Sequence, residues 1–419
     1  MSLFQRGVRL VVAMACAALL AACERQSYVD PIDWPSAVFD VAAGRNLDAA
    51  CVQRYDPSVD YFPEKVNFSW SDQLQVDYGK HYKYVTLTPS VNPAESLTYL
   101  LVQCGTPVPK HDPGTVVVHV PIRTLVTGDI ALLSAVDALG LNDRFSGTLN
   151  PRAITIPALR ARYEQGLIRE LSGVGHASIE GIMAVSPDVY FTFYSAYPNA
   201  NIHPRLVEMG VRAFAQADHL ERHPLGRAEW LKVLGLLSNR EDLANRQFDG
   251  IVERYQGWAD RLGEPGQRPR VMAGSVSGRA IIELFGGQNQ LARLIQDAGG
   301  EYVYSDNLSA GSWLLAPFEK VYAKAASAPV WINAQAGVGS LSALAGRNAR
   351  HAWFASFRNQ QVYARDRGYE GAWAYPYLDQ SLTRPDDVLA ETIFAIHADS
   401  RARPVGVTHQ PRFLRRLPP

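Results

Sequence analysis

The chain is poor in cysteine and has no excess of charge of either sign. Its 419 residues include 4 cysteines, and no two of them form a Cys-x-x-Cys pair. That spacing therefore does not support a thiolate zinc site or a redox motif. Lysine plus arginine and aspartate plus glutamate both number 41, so the formal net charge is zero. We expect no nucleic-acid partner, because proteins that bind nucleic acids usually carry a strong positive charge.

Motifs of nucleotide-binding and catalytic proteins are missing as well. No P-loop is present, and the segment 173–175 lacks the third glycine of a dinucleotide fingerprint. The segment 274–278 has Val276 where a nucleophile elbow requires serine. No nucleophile, base and orienting residue come together, so we expect a binding protein, not an enzyme, with no cofactor.

Histidines do not cluster as metal ligands do. His219 and His223 are four residues apart, the spacing that places two side chains on one helix face. A zincin would need glutamate directly after His219, where Leu220 stands, and Pro224 disfavours a continuous helix. Two polar loop histidines are favoured over a metal site, and we predict no metal ligands.

The apolar run at the N-terminus is too short to cross a membrane. Residues 10–20 follow Arg6 and Arg9, whereas a membrane helix needs about 20 apolar residues, so the run predicts a secretory signal. It ends in Leu-Ala-Ala-Cys at 20–23, which resembles a bacterial lipobox with Cys23 as the lipidated residue. The alternative is an ordinary signal peptide in which Cys23 is incidental. The first interpretation predicts a periplasmic or extracytoplasmic protein anchored to a bacterial membrane by lipid.

Two cysteines remain after the leader and the lipid site are set aside. Cys51 and Cys104 are predicted to form one disulfide, as is usual outside the cytosol. Two buried thiols are the alternative.

The rest of the chain divides by its hydrophobic pattern. The segments 82–88 and 97–102 indicate a β-hairpin, and from residue 116 onward strands and helices alternate, which predicts parallel sheets covered on both faces. A long helix is expected to end at Leu262, before a Gly/Pro-rich stretch. We predict an α/β fold of two Rossmann-like lobes joined by a single long helix, with a small N-terminal β extension. The predicted boundaries are a signal peptide and lipobox at 1–23, a tether at 24–50, the extension at 51–114, an N-lobe at 115–237, the connecting helix at 238–263, and a C-lobe and tail at 264–419.

Several segments in the second and third quarters of the chain and near its end carry a family resemblance. They are Val120–Arg123 with Ala135–Gly140, Glu180–Val189, Pro224–Trp230, Asp297–Gly300, Phe318–Glu319 and Pro385–Leu389. In their order and spacing they resemble the substrate-binding proteins of ABC importers for iron–siderophore, haem and cobalamin, whose lobes are joined by one rigid helix (class III periplasmic binding proteins). The resemblance covers about residues 112–416 and says nothing about the β extension.

The resemblance implies a role for two acidic residues. Glu180 and Glu319 match the exposed glutamates, one on each lobe, that meet arginines of an ABC permease dimer. Carboxylates placed symmetrically about a cleft set the register on a two-fold partner. The alternative is that each is a solvated residue in the first turn of a helix, where negative charge suits the helix dipole.

Ligands of open α/β sheets bind beyond the carboxyl ends of the strands. That rule selects loop residues of both lobes as ligand contacts: Thr127, Gly128, Asp129, His176, Tyr194, Ser195, Tyr197, Ser277, Arg279, Trp313, Tyr369 and Trp373. The aromatic residues suit a bulky ligand, and Arg279 suits an anionic chelate.

The function predicted from the sequence is capture of an iron–siderophore-type metal chelate by a monomeric lipoprotein, followed by delivery to the permease. A cobalamin or haem receptor is the alternative, and next comes a receptor for free zinc or manganese. A secreted enzyme on the same scaffold, a hydrolase or a nitrogenase-like descendant, is the remaining possibility.

Overall fold

The structure is a computed structural model that describes most of the chain after its N-terminal segment. The described residues are 34–171, 173–174, 176–195, 197, 200–262, 268–277, 280–312, 314–371, 373–398 and 408–419. The predicted signal peptide and Cys23 lie outside the described residues.

The N-lobe is built on a wholly parallel sheet. Its strands, in spatial order, are Ala213–Gln216, Val189–Phe193, Leu125–Thr127, Phe145–Thr148 and Arg169–Glu170. Its helical segments are Leu133–Ala138, Pro151–Ala153, Pro157–Glu164, Ile179–Val185, His203–Glu208 and Asp218–Leu220. A short antiparallel pair, Gly173–Val174 with His176–Ala177, lies outside the sheet. The central strand Val189–Phe193 is buried except at its last residue, as expected for a sheet covered on both faces.

The C-lobe sheet is mixed. Its strands, in spatial order, are Leu314–Pro317, Ile281–Leu284, Arg270–Ser277, Val330–Ala334, Val362–Ala364 and Arg415–Arg416, with Glu301–Tyr302 also beside Arg270–Ser277. The central pairs are parallel, and the pairs toward the edges are antiparallel. The helical segments are Gln290–Asp297, Phe318–Ala325, Leu341–Arg347, Ala349–Trp353, Ala355–Arg358, Pro376–Gln380, Ser381–Thr383 and Pro385–Ile396.

One helix, Glu241–Leu262, joins the lobes and is here called the connecting helix. Its 22 residues make it about 33 Å long. Phe248, Ile251 and Tyr255 are buried along one side, the three- and four-residue spacing of an amphipathic helix. Its other contacts include the last helix of the C-lobe, where Arg254 Nε lies 2.8 Å from Asp386 Oδ2. The predicted fold class, two lobes joined by one helix, is confirmed.

The segment before the connecting helix is not one continuous helix. It forms two helices, Pro224–Glu229 and Leu231–Ser238, separated at Trp230. Trp230 is fully buried, and its indole N–H donates to Glu221 Oε1 at 2.8 Å. The buried hydrogen bond holds the side chain at the break.

The N-terminal extension is a four-stranded sheet with a different boundary from the one predicted. Its strands, in order, are Leu74–Tyr78, Tyr82–Leu87, Leu97–Gln103 and Val116–Val120. The predicted hairpin is present. The strand Val116–Val120, expected to open the N-lobe, instead runs parallel to Leu97–Gln103. Its local sequence predicted a strand, but only long-range pairing decides which sheet it joins.

Part of the predicted tether packs against the folded protein. Ser36–Ala37 pairs in parallel with Cys51–Val52, and Val41–Ala43 forms a turn of 3-10 helix. The indole N–H of Trp34 donates to Pro121 O at 2.8 Å. Residues from 34 onward therefore belong to the folded unit, because they bury polar and aromatic groups against it. Cys51 and Cys104 form a disulfide with an S–S distance of 2.10 Å, the pairing that the sequence predicted.

A buried ion pair fastens the extension to the first residue of the connecting helix. The side chains of Lys83 and Glu241 are both fully buried and bonded to each other. Lys83 Nζ also donates to Leu236 O at 2.7 Å and Asn239 Oδ1 at 2.8 Å, and Asn46 Nδ2 donates to Glu241 Oε2 at 2.8 Å. Burial lowers the pKa of Lys83 and raises that of Glu241, and the attraction between the two opposes both changes. The hydrogen bonds satisfy a pair that water cannot reach.

A second contact attaches the loop before the first extension strand to the helix Pro224–Glu229. The backbone N–H groups of Ser69, Trp70 and Ser71 donate to the carboxylate of Glu229 over 2.8 to 3.1 Å. Ser71 Oγ donates to Glu221 Oε1 at 2.5 Å. Burial raises the pKa of Glu221 to about 8, so this carboxyl is held protonated at neutral pH. The extension is thus bonded to the segment that leads into the connecting helix.

Removal of the Lys83 ammonium is expected to destabilise the fold. Lys83→Met would leave Glu241 buried without its cation, which costs about 3–5 kcal/mol of unfolding free energy. The measurement is urea denaturation followed by circular dichroism. The matched control is Lys65→Met, because Lys65 pairs with Asp60 at the surface, with side chains 42% and 45% exposed, and such pairs contribute about 1 kcal/mol or less. Equal losses in the two variants would contradict the importance of the buried pair.

Candidate ligand-binding cleft

A large cleft lies between the two lobes, at the carboxyl ends of their strands. Its volume is about 840 Å³, within the range of small-molecule sites. The N-lobe wall comes from loops after three strands, with Asp129, Tyr197 and His219 among its residues. The C-lobe wall includes Arg365 and Tyr377. This is the position where open α/β sheets bind ligands.

Some of the residues selected from the sequence lie on this cleft. Asp129 and Tyr197 line it, together with Gly128 and Ser195. These four residues follow the strands Leu125–Thr127 and Val189–Phe193. Their role as ligand contacts remains a prediction, supported by their position.

Two of the selected residues, Thr127 and Tyr194, are buried and are not among the residues that line the cleft. Thr127 is fully buried, and its hydroxyl donates to Thr148 Oγ1 on the next strand at 3.3 Å. Tyr194 is 2% exposed, and its hydroxyl donates to Glu95 of the extension. Side chains alternate along a strand, so a position at the correct end does not ensure the correct face.

Of the aromatic residues selected in the C-lobe, two are exposed and one lies outside the described residues. Tyr369 and Trp373 are 42% and 57% exposed and are not among the residues that line the cleft. They lie on the loop between Arg365 and Tyr377, which do line it. Arg279 and Trp313 lie outside the described residues, as do the side chains of His176 and Ser277.

Acidic side chains form the N-lobe part of the cleft floor. The Gln216 amide donates to Asp129 Oδ1 at 3.2 Å and to Asp218 Oδ1 at 2.9 Å. Asp218 Oδ2 accepts from Arg227 Nε at 3.0 Å, and Arg227 Nη1 donates to Ser381 Oγ of the C-lobe at 3.0 Å. One hydrogen-bonded chain therefore runs across the base of the cleft from lobe to lobe.

The carboxyl group of Asp129, at one end of this hydrogen-bonded series, has a raised pKa. Burial raises its pKa to about 6, and the negative charge of Asp218 acts in the same direction. The N–H of Ala131 and the amide of Gln216 oppose the rise because they donate to the ionised form. Perturbed carboxyls in clefts are typical of functional sites.

Arg365 is a cleft residue that the sequence reasoning missed. Its guanidinium lies 4.2 Å from the ring centre of Tyr377 and 5.6 Å from that of Phe285. No carboxylate among the described residues lies within ion-pair distance of it. An arginine held on aromatic rings in a cleft is well placed to receive an anionic group. Arg365 directly follows the strand Val362–Ala364, so the rule of strand ends would have selected it.

His219 is the second residue that was missed. It lies in the turn Asp218–Leu220 after the strand Ala213–Gln216, and its ring stacks on that of Phe193 at 4.3 Å. Burial lowers its pKa to about 4, so the imidazole is neutral at pH 7. The sequence analysis considered His219 only together with His223, as two histidines four residues apart. In the structure His223 lies beside Asp297 instead, with 3.8 Å between His223 Nε2 and Asp297 Oδ2.

The two glutamates selected for docking occupy equivalent places on the two lobes. Glu180 is exposed in the first turn of Ile179–Val185, and Glu319 is exposed in the first turn of Phe318–Ala325. Glu319 Oε1 lies 2.5 Å from Arg350 Nη1. The pKa of Glu319 is lowered by its own backbone N–H and by Arg350. Permease docking by these residues remains a prediction.

Two features are missing from the part of the chain that the structure describes. No group of three or more His, Cys, Asp or Glu side chains in that part of the chain is arranged to hold a metal ion. No helix within it combines the length and apolar character needed to span a bilayer.

The fold is similar to solved binding proteins of the class that the sequence resembles. A periplasmic binding protein of Veillonella parvula matches with a TM-score of 0.53 and 14% identity, over 76% of this chain and 99% of that chain. A periplasmic haem-binding protein of Pseudomonas aeruginosa matches with a TM-score of 0.51 and 17% identity, over 70% and 97%. An ABC transporter substrate-binding protein of Listeria monocytogenes matches with a TM-score of 0.50 and 14% identity, over 66% and 99%.

Comparison with curated sequences finds a relative without a known function. An uncharacterized lipoprotein of Methanocaldococcus jannaschii is 23% identical over 238 residues, which are 56% of this chain. The chain spans about half, 54%, of that relative's length. No family model matches the chain. The comparisons and the two-lobed structure together establish the fold, that of a class III periplasmic binding protein. All three similar structures are those of binding proteins.

Replacement of Asp129 by asparagine is expected to stabilise the protein at neutral pH. An unfolded aspartate ionises near pH 3.8 and Asp129 at about 6, so the folded state loses stability as the pH rises between those values. Asparagine keeps the two hydrogen bonds, since Ala131 and Gln216 both donate to Oδ1. We expect Asp129→Asn to raise the unfolding free energy by about 2–3 kcal/mol at pH 7.5, since one pKa unit corresponds to about 1.4 kcal/mol, and to leave it unchanged at pH 3.5.

The measurement is urea denaturation at the two pH values, with Asp249→Asn on the exposed side of the connecting helix as control. A gain that is the same at both pH values would rule out ionisation of Asp129 as its cause.

Proposed function

We propose that the chain is the substrate-binding component of an ABC importer, which takes up a metal chelate between its lobes and delivers it to a permease. The observation that carries the proposal is the cleft of about 840 Å³ at the strand ends of a two-lobed fold with a single connecting helix. A continuous helix joining both lobes favours small closing motions over large hinge bending. No covalent chemistry is part of this function.

The chemistry of the cleft favours a large ligand with both apolar and anionic parts. Tyr190, Phe193, Phe285 and Tyr377 supply aromatic surface from both lobes, and Arg365 supplies a positive charge. Aromatic rings contribute large contact areas, and a guanidinium recognises carboxylates or other anionic oxygen groups. A ferric siderophore, the class that the sequence favoured, has both properties. Haem or a corrinoid is the second candidate, which the position of His219 supports.

A free-metal receptor and an enzyme have less support. A bare zinc or manganese ion would need several converging ligands, and the described residues contain no such group. An enzyme would need a nucleophile, or an acid and a base, with an orienting partner. At the cleft floor, Asp218 is instead paired with the cation of Arg227, which leaves it poorly suited to act as a base.

The N-terminal sequence supports a place outside the cytoplasm. We propose that Cys23 carries a lipid and that the protein is held at a bacterial membrane as a monomer, with Glu180 and Glu319 facing the permease dimer. The two carboxylates are exposed, and each lies in the first turn of a helix on its own lobe. One such charge on each lobe suits a partner with two-fold symmetry.

Arg365 is expected to contribute to binding of anionic chelates. A hydrogen-bonded contact between charged groups contributes about 1.5–3 kcal/mol, so Arg365→Gln should weaken binding by about tenfold to a hundredfold. The measurement is tryptophan-fluorescence titration of residues 24–419 with ferric siderophores, haem, cobalamin and free zinc or manganese. Arg347→Gln, an exposed charge change on the same lobe, is the control.

The titration also tests the function itself. Saturable binding of one chelate at micromolar concentration or below, weakened in the Arg365 variant alone, supports the proposal. Binding of free metal without any chelate would favour a metal receptor, and a panel with no binding at all would contradict the proposed function.

The docking proposal predicts a loss of transport without a loss of binding. Glu180→Ala and Glu319→Ala should each lower uptake by about tenfold, the factor expected when one close interfacial charge pair is lost. Their affinity for the chelate should equal that of the unaltered protein. The measurement is uptake in vesicles that contain the cognate permease, with Glu208→Ala, another exposed N-lobe carboxylate, as control. Normal uptake by the double variant would show that these glutamates do not dock.

A further inference from the structure

A second cavity lies along the C-lobe helix Gln290–Asp297 and is separate from the ligand cleft. Its volume is about 490 Å³, within the range of small-molecule sites. Among the described residues, Asn289 alone lines both cavities. The Asn289 amide donates to His219 O at 3.1 Å, and the N–H of Gln290 donates to Glu221 O at 2.9 Å. These bonds join the two lobes where the cavities adjoin.

The lining of this second cavity is rich in arginine. Arg222, Arg268 and Arg293 line it, and Glu301 is the one carboxylate among its described lining residues. A guanidinium binds carboxylate and phosphate groups through paired N–H donors. The cavity therefore suits an anionic small molecule.

Two of the arginines are oriented by carboxylates that they contact through Nε. Arg293 Nε lies 2.7 Å from Asp297 Oδ1, and Asp297 Oδ2 accepts from the hydroxyl of Tyr255 in the connecting helix at 2.8 Å. Arg222 Nε lies 3.4 Å from Asp72 Oδ2 of the extension. A guanidinium carries further N–H donors on its Nη atoms. Contact through Nε therefore holds each side chain in place and leaves the Nη groups for a ligand.

The third arginine stands apart from the first along the cavity. Arg222 directly follows the residue whose carbonyl accepts from the first N–H of the helix. Arg268 directly precedes Pro269, whose carbonyl accepts from the N–H of Glu301 beyond the end of the helix at 2.9 Å. The 8 residues of the helix make it about 12 Å long. Arg222 and Arg268 thus belong to opposite ends of the helix that the cavity follows.

We propose that this cavity, here called the arginine groove, is a second binding site for an elongated small molecule with anionic oxygen groups at both ends. Phosphate esters and carboxylates both provide such groups. Arg222 binds one end, Arg268 binds the other, and Arg293 lies on the helix between them. Because Arg222 belongs to the N-lobe and Arg268 to the C-lobe, one ligand bridges the lobes at their junction. The site does not depend on which ligand the cleft takes.

The test is calorimetric titration of the protein with two elongated probes and a compact one at equal ionic strength. The elongated probes are fructose 1,6-bisphosphate and the linear dicarboxylate suberate, and the compact probe is inorganic phosphate. We expect saturable binding of at least one elongated probe at millimolar concentration or below. Its affinity should exceed that of inorganic phosphate by about tenfold or more, because the second anionic group adds its own charged hydrogen bonds. The preferred elongated probe identifies the anionic group.

Substitutions at the two ends locate the binding site. Arg268→Gln and Arg222→Gln should each weaken binding of the elongated probe by about tenfold or more. Arg268→Gln should leave the unfolding free energy without probe unchanged, because no carboxylate among the described residues pairs with Arg268. Arg347→Gln, at an exposed arginine of the same lobe, and Arg365→Gln, in the ligand cleft, should leave binding of the probe unchanged.

The absence of binding of both elongated probes would overturn the inference, as would equal affinities of Arg268→Gln and the unaltered protein. Binding that is weakened by Arg365→Gln instead would place the probe in the ligand cleft and would also overturn it. Inorganic phosphate that binds as tightly as the elongated probes would contradict a ligand with two anionic ends.

Discussion

Burial of the Lys83–Glu241 ion pair is the constraint on which the arrangement of the lobes depends. Glu241 is the first residue of the helix that joins them, and Lys83 lies in the second strand of the extension sheet. A charge in this place cannot be left without its partner, since an unpaired buried charge costs several kcal/mol. The extension is therefore tied to the start of the connecting helix, which leads to the C-lobe.

The extension also contacts N-lobe strands whose following loops line the cleft. Glu95 lies in the loop between two extension strands. Its carboxylate accepts a hydrogen bond from the hydroxyl of Tyr194, which directly follows an N-lobe strand. Tyr99 accepts from the backbone N–H of Ala215 at 2.9 Å and stacks on Phe214. The two contacts hold neighbouring strand ends of the N-lobe, from which the cleft wall is built. The added sheet thus supports both the connecting helix and the wall that faces the ligand.

Charge is divided unequally between the two walls of the cleft. The N-lobe supplies Asp129 and Asp218, and Asp218 is neutralised by Arg227. The C-lobe supplies Arg365, which has aromatic rings but no described carboxylate beside it. Because burial and a second carboxylate raise the pKa of Asp129, the folded state loses stability as the pH rises from 3.8 to about 6. Such local instability is typical of sites kept for function, and an open cation opposite it gives an anionic ligand a defined orientation.

The sequence by itself determined the fold class, the connecting helix to within a few residues at its start, and the region of the cleft. Those features follow from hydrophobic periodicity and from the rule that ligands meet strand ends, both of which are local patterns. Only the tertiary structure decided that Val116–Val120 joins the extension sheet, that Tyr194 turns away to Glu95, and that Arg365 and His219 face the cleft. Strand partners, side-chain faces and buried ion pairs depend on residues far apart in the chain, so no local pattern specifies them.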